Sequence, residues 1–196
     1  MASALTVVLD KVDKTVAGIV GLAGTRVMVG VPAEKALRKP DERVRGQPIN
    51  NAALAYIHEN GAPEAKIPPR PFLLPGVKIV QPEIEKGLRA AAEHAFDGKP
   101  DASERDFHRV GLRAQAAVRR KIQSGPFLPL APATILARIA RGRRGQVSSY
   151  LQAKRERGEI VSSDIHVEFS GMRPLIDTGA LRNSINYVVR KVSWRN

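Results

Sequence analysis

Residues 50–76 read NNAALAYIHENGAPEAKIPPRPFLLPG, a short amphipathic pattern followed by a run of prolines. The first part predicts a helix, because its apolar residues repeat at helical spacing and Asn50 or Asn51 can cap its first turn. Gly61 stands at the usual position of a helix stop. The stretch therefore predicts a short helix that runs directly into an ordered connection.

The second part of this stretch predicts a stiff, extended loop. Prolines at 63, 68, 69, 71 and 75 fix the backbone φ and oppose helix formation. The apolar triplet 72–74 is unlike a free linker, so we expect it to anchor the loop on a core or on a neighbouring subunit. The predicted subunit-interface residues are Ile67, Pro68, Pro69, Arg70, Pro71, Phe72, Leu73 and Leu74.

Length and composition predict a single domain over residues 1–196, large enough to bury a core. The apolar share of 43% is typical of a globular chain. No run of about 18 apolar residues is present, and no secretory signal is visible, so we expect no membrane span and synthesis in the cytoplasm. The absence of cysteine excludes disulfides and thiolate metal sites.

The charge of the chain is strongly basic, since 32 basic residues against 19 acidic ones give a net charge of +13. Such a balance favours polyanions or an acidic partner protein. The chain has only five Phe, three Tyr and one Trp, which argues against a platform for stacking bases.

Hydrophobic periodicity predicts an α+β fold, in which a small, mainly antiparallel sheet packs against an N-terminal helix and a long helical hairpin. Ser103 with Asp106 resembles a capping box at the start of the second hairpin helix. The predicted helices cover residues 5–20, 77–96, 103–123, 135–139 and 180–184, the predicted strands cover 25–31, 160–169 and 185–192, and a long loop covers 33–49.

A basic segment over residues 138–158 predicts an exposed, flexible arm with glycines and few apolar anchors. It could contact DNA phosphates without sequence preference, or it could order on an acidic neighbouring protein. A solvated surface loop remains the third interpretation. The predicted contact residues are Arg138, Arg141, Arg143, Arg144, Lys154, Arg155 and Arg157.

Three groups of segments carry a family resemblance, in the order in which they occur: TRVMVGVP at 25–32, YIHENG with IPPRPFL in the opening stretch, and LAPATI at 130–135 with PLIDTGALRNSI at 174–185. Together they resemble the tail-completion, or neck, proteins of tailed bacteriophages. The resemblance implies a structural virion protein at the head–tail junction and no enzymatic activity. It also implies a ring, with a homo-hexamer favoured, around the DNA channel, next to head–tail connector and tail-terminator or tail-tube proteins.

Residues 177–179, Asp-Thr-Gly, also resemble the active-site loop of retroviral-type aspartic proteases, in which two aspartates share one proton. That chemistry needs an all-β dimer with a flap, which the helical periodicity does not predict. The alternative is structural: Asp177 or Thr178 caps the following turn, and Gly179 supplies an unusual backbone conformation.

Catalytic, metal and cofactor motifs are otherwise not recognised in the sequence. The four histidines at 58, 94, 108 and 166 show no metal-ligand spacing, and His58 on a helix face is expected to be packed or hydrogen-bonded. Glycine-rich phosphate loops are also missing. A non-virion nucleic-acid-binding protein is the main alternative function, although no helix-turn-helix, zinc finger or RNA-binding motif is recognisable.

Overall fold

A computed structural model describes residues 4–38, 49–140 and 173–192. The helices in these ranges are α1 (Ala4–Gly24), α2 (Asn51–Asn60), α3 (Leu73–Ile79), α4 (Gln81–Phe96), α5 (Pro100–Ser124), α6 (Pro132–Ala140) and α7 (Ala180–Ser184). The strands are β1 (Thr25–Gly30) and β2 (Asn186–Lys191). The predicted strand at 160–169 and most of the predicted loop at 33–49 lie outside the described residues.

The two strands pair antiparallel, with Thr25 opposite Lys191 and Gly30 opposite Asn186. Strand β1 follows α1 without a loop, and its pairing with β2 brings residues near the start of the described chain next to residues near its end. Gly24 permits the close approach, since a Cβ there would lie 2.6 Å from the carbonyl oxygen of Val192. The predicted α+β class is confirmed by this sheet, the N-terminal helix and the long helices.

Helices α4 and α5 form the predicted antiparallel hairpin. A Cβ on Gly87 would lie 2.6 Å from Cγ2 of Val110, and further along the pair His94 Nδ1 lies 2.7 Å from Asp106 Oδ2. The predicted capping box is wrong, because α5 begins at Pro100 and Asp106 therefore lies in its interior. The Asp106 carboxylate is 5% exposed and forms one hydrogen bond with His94 and one with Arg109. Burial alone would raise the pKa of this carboxyl, but the two hydrogen bonds hold the pKa below its ordinary range.

The proline segment ends earlier than the sequence predicts. Pro75 lies in the first turn of α3, where proline is tolerated because the first helical N–H groups have no partner within the helix. The predicted helix at 77–96 is in fact divided at Val80 into α3 and α4. Gly76 is buried, and a Cβ there would lie 2.8 Å from Cα of Val118, so α3 packs directly on α5.

The described chain forms two compact units, each built from separated segments. The first unit comprises 1–32, 73–120 and 185–196, and contains the sheet with most of the long helices. The second comprises 33–72 and 121–184, and its described part contains α2, α6 and α7. The single domain over 1–196 stays a prediction.

Candidate functional site

The proline loop after α2 is folded back on the helix that precedes it. As predicted, Asn50 caps α2 by accepting a 2.7 Å hydrogen bond from the Ala53 N–H, and Gly61 ends it with a φ of 81°. The Arg70 N–H then donates to the His58 carbonyl at 2.6 Å, and the Phe72 N–H donates to the Glu59 carboxylate at 2.7 Å. These two bonds fix residues 70–72 against the last turn of α2.

The side chain of Arg70 joins this loop to the segment that precedes α6. Arg70 is only 5% exposed, and its Nε donates to the Leu128 carbonyl at 2.8 Å. Its Nη2 donates to the Pro129 carbonyl at 2.7 Å. Burial lowers the pKa of the guanidinium from its ordinary value. One cation therefore satisfies two loop carbonyls that have no partner in a regular ladder.

Arg138 connects α6 to the turn before α7 in the same way. Its Nη1 donates to the carbonyls of Arg173 and Ile176 at 3.1 and 3.0 Å, and its Nη2 donates to the Pro174 carbonyl at 2.9 Å. Its Nε lies 3.8 Å from Oδ1 of Asp177. We refer to Arg70 and Arg138 together as the arginine clamp.

These contacts correct the prediction that Arg138 belongs to an exposed arm, because its side chain is only 12% exposed and is engaged by the turn. The other predicted contact residues lie outside the described residues: Arg141, Arg143, Arg144, Lys154, Arg155 and Arg157. Their interaction with DNA or with an acidic protein stays a prediction.

The turn at residues 177–179 introduces α7. Gly179 has a φ of 80°, a conformation that favours glycine, and the Thr178 hydroxyl accepts a 3.2 Å hydrogen bond from the Ala180 N–H. Leu181 and Ser184 of α7 are buried, and this short helix packs on α2. All the resemblance motifs except the strand at 25–32 thus contribute to the second unit.

His58 lies close enough to both clamp arginines to sense their charge. Burial, followed by the positive charges of Arg70 and Arg138, lowers the pKa of His58 from 6.5 to about 4. Its Nδ1 is buried and has no hydrogen-bond partner among the described residues. The neutral ring is therefore a packed element of the clamp.

The predicted subunit-interface segment divides into buried and exposed side chains. Arg70 and Phe72 are 5% and 1% exposed within a single chain, so the expectation that these two face a neighbouring subunit is corrected. Pro69 and Pro71 are exposed, and Leu74 is 60% exposed. Ile67, Pro68 and Leu73 are half-buried. An intersubunit contact through the other members stays a prediction.

The surroundings of Asp177 within the chain differ from those of an aspartic-protease carboxyl. An aspartic-protease dyad places one carboxyl against another, whereas Asp177 faces a guanidinium. Among the residues that the structure describes, no group of three or more His, Asp or Glu side chains could hold a metal ion. Over the same residues, no helix is long and apolar enough to cross a membrane.

A separate cavity of about 310 Å³ lies in the first unit. Its walls include Gly18 and Leu22 of α1, Phe107 of α5 and Val189 of β2, with Glu104 and Lys191 also lining it as an ion pair of 2.9 Å. The cavity could bury an apolar group.

Sequence reasoning placed Arg70 in the correct segment and missed its role. It also missed Glu59, whose carboxylate accepts from the loop backbone. The sequence signal for this role was the position of Arg70 between Pro69 and Pro71. Proline has no backbone N–H, so the loop cannot form a regular hydrogen-bond ladder there. No protein-family model, curated protein or solved structure matches this chain.

Proposed function

We propose that this chain is a structural protein of a tailed-phage virion, a tail-completion or neck subunit that acts when the tail joins the head. The observation that carries the proposal is the arginine clamp, because it binds together the loops whose sequences carry the resemblance. Arg70 reaches from IPPRPFL to the loop before LAPATI, and Arg138 reaches from α6 to the loop of PLIDTG.

The clamp supports an assembly role because it leaves a small apolar surface that is already ordered. Pro69 and Pro71 flank Arg70 and are exposed, and Leu128, whose carbonyl accepts from Arg70, is 55% exposed. Rigid loops lose little conformational entropy on docking. We name Pro69, Pro71 and Leu128 the proline–leucine surface and propose it as a contact of the assembled particle.

A ring is the assembly that the resemblance favours, with six copies around the DNA channel. Head-to-tail contacts of a single kind close such a ring, so each subunit would present the proline–leucine surface to a different surface of its neighbour. The proposed partners are further copies of the chain, the head–tail connector, and tail-terminator or tail-tube proteins.

The test is localisation on the virion. Purified phage particles whose genome encodes this chain would be labelled with an antibody against it and imaged by electron microscopy. We expect label at the neck, and tailless heads when the gene is deleted. Label elsewhere, or complete infectious particles without the protein, would contradict the proposal and favour the non-virion nucleic-acid-binding alternative.

A further inference from the structure

One face of α5 carries four arginines in line. Arg105, Arg109, Arg113 and Arg120 are all exposed, and Arg109 is 74% exposed. At about 100° per residue, their positions fall within an arc of about 80° around the helix axis. The buried residues of the helix lie on its opposite side and include Phe107, Val110, Ala114 and Val118. We call these four residues the arginine ridge.

The first three arginines of the ridge are regularly spaced. Arg105, Arg109 and Arg113 follow each other at intervals of four residues, which corresponds to steps of about 6 Å at a rise of about 1.5 Å per residue. Arg120 extends the ridge to a total length of about 22 Å. All four arginines therefore lie on one face of a single helix, so no loop has to become ordered to bring them together.

The positive charge of the first three ridge arginines, Arg105, Arg109 and Arg113, is only weakly compensated. Between residues 105 and 120 the one acidic residue is Asp106, which is buried and pairs with both His94 and Arg109. Among the described residues, no carboxylate pairs with Arg105 or Arg113. The nearby Glu104 lies outside the arc and pairs with Lys191 at 2.9 Å.

The shape and chemistry of the ridge favour a nucleic-acid backbone over an acidic protein. Protein interfaces are organised around an apolar centre, and the ridge offers only Leu112 and Ala116 as exposed apolar neighbours. Guanidinium groups bind phosphate oxygens in pairs of hydrogen bonds. Duplex DNA carries one phosphate per about 3.4 Å of each strand, so steps of about 6 Å allow successive arginines to reach separate phosphates.

We propose that the arginine ridge of α5 binds the phosphate backbone of duplex DNA without sequence preference. The ridge is distinct from the basic segment at 141–158, and the inference rests on the contacts of α5 and not on the proposed place of the protein in a virion. Because purified protein and DNA suffice for the test, its failure would leave the proposed neck function standing.

The test uses the full chain and a 30-base-pair duplex of mixed sequence, with affinity measured by fluorescence anisotropy from 50 to 200 mM salt. The ridge variant carries Arg105→Gln, Arg109→Gln and Arg113→Gln. We expect it to lose at least about tenfold in affinity at low salt, and the slope of log affinity against log salt to become shallower by nearly three.

A matched variant controls for net charge. Arg26→Gln, Arg89→Gln and Arg190→Gln remove three exposed arginines from β1, α4 and β2, so both variants lose the same charge. We expect the control to lose less than about threefold, with a slope close to that of the unchanged chain. Circular dichroism melting establishes that both variants fold.

Three outcomes would overturn the inference. Equal losses in both variants would show that only net charge matters. Unchanged binding in the ridge variant would show that other residues contact the DNA. Loss of binding to poly-L-glutamate with duplex binding retained would identify the ridge as a site for an acidic protein.

Discussion

The arginines of the clamp and those of the ridge are the same residue type in opposite environments. Arg70 and Arg138 are almost completely buried, and their N–H groups are directed at carbonyl oxygens of neighbouring loops. Arg105, Arg109 and Arg113 are exposed on a helix whose backbone carbonyl groups already accept hydrogen bonds within the helix. The net charge of +13 therefore includes two kinds of arginine. Some are buried and stabilise the fold, and others are exposed and can contact a partner.

Breaking the clamp should produce the largest effect. Arg70→Met keeps the length of the side chain and leaves the carbonyls of Leu128 and Pro129 without their donors. The two lost hydrogen bonds are part-buried and come from a charged donor, and a bond of this kind contributes about 1.5–3 kcal/mol. We therefore expect a loss of roughly 3 kcal/mol in the free energy of unfolding, measured by urea denaturation followed by circular dichroism.

The matched variant for the clamp is Arg105→Met on the ridge. We expect it to change the free energy of unfolding by less than about 0.5 kcal/mol, since the residue is exposed. Similar losses in the two variants would remove the distinction between clamp and ridge. A stable Arg70→Met protein would show that water or the loops themselves satisfy the carbonyls.

A smaller effect should appear in the pH dependence of stability, because burial and the nearby clamp arginines hold His58 neutral. Its pKa is about 4 in the folded protein and 6.5 without these influences. The unfolded chain therefore takes up the proton first, and the stabilisation present above pH 6.5 is lost as the pH falls from 6.5 through about 4. After allowance for partial exposure, we expect a decline of about 1–2 kcal/mol.

His58→Gln should flatten this decline, whereas His108→Gln on α5, which is exposed, should leave it unchanged. The measurement is the free energy of unfolding at intervals from pH 7.5 to pH 4. Parallel profiles for His58→Gln and the unchanged chain would show that the pKa of His58 is not lowered in the folded protein.

The sequence predicted what depends on local periodicity. Apolar spacing indicated α1 and α5, alternation of β-branched residues indicated β1, and Asn50 and Gly61 marked the ends of α2. It did not predict the break at Val80 or the helical position of Pro75, because packing of α3 on α5 outweighs local preference there.

The clamp could not be predicted in the same way, because it depends on contacts between distant segments. Arg70 bonds to a carbonyl 58 residues away, and Arg138 to one 38 residues away. The ridge, in contrast, can be seen in part in the sequence, since Arg105, Arg109 and Arg113 follow one another at intervals of four. The recognition of these arginines as one exposed face also requires knowledge of which side of α5 is buried.

The most direct test of the division between structural and DNA-binding arginines is the arginine Nε–H spectrum of the ¹⁵N-labelled protein, recorded during titration with duplex DNA. Arg70 and Arg119 both donate through Nε, to the carbonyls of Leu128 and Ile185. We expect their signals to be protected from solvent exchange at the outset and unchanged by DNA. The signals of Arg105, Arg109 and Arg113 should exchange rapidly in the free protein and become protected as DNA is added. DNA-induced changes at Arg70 and Arg119, with none at the ridge, would contradict the account.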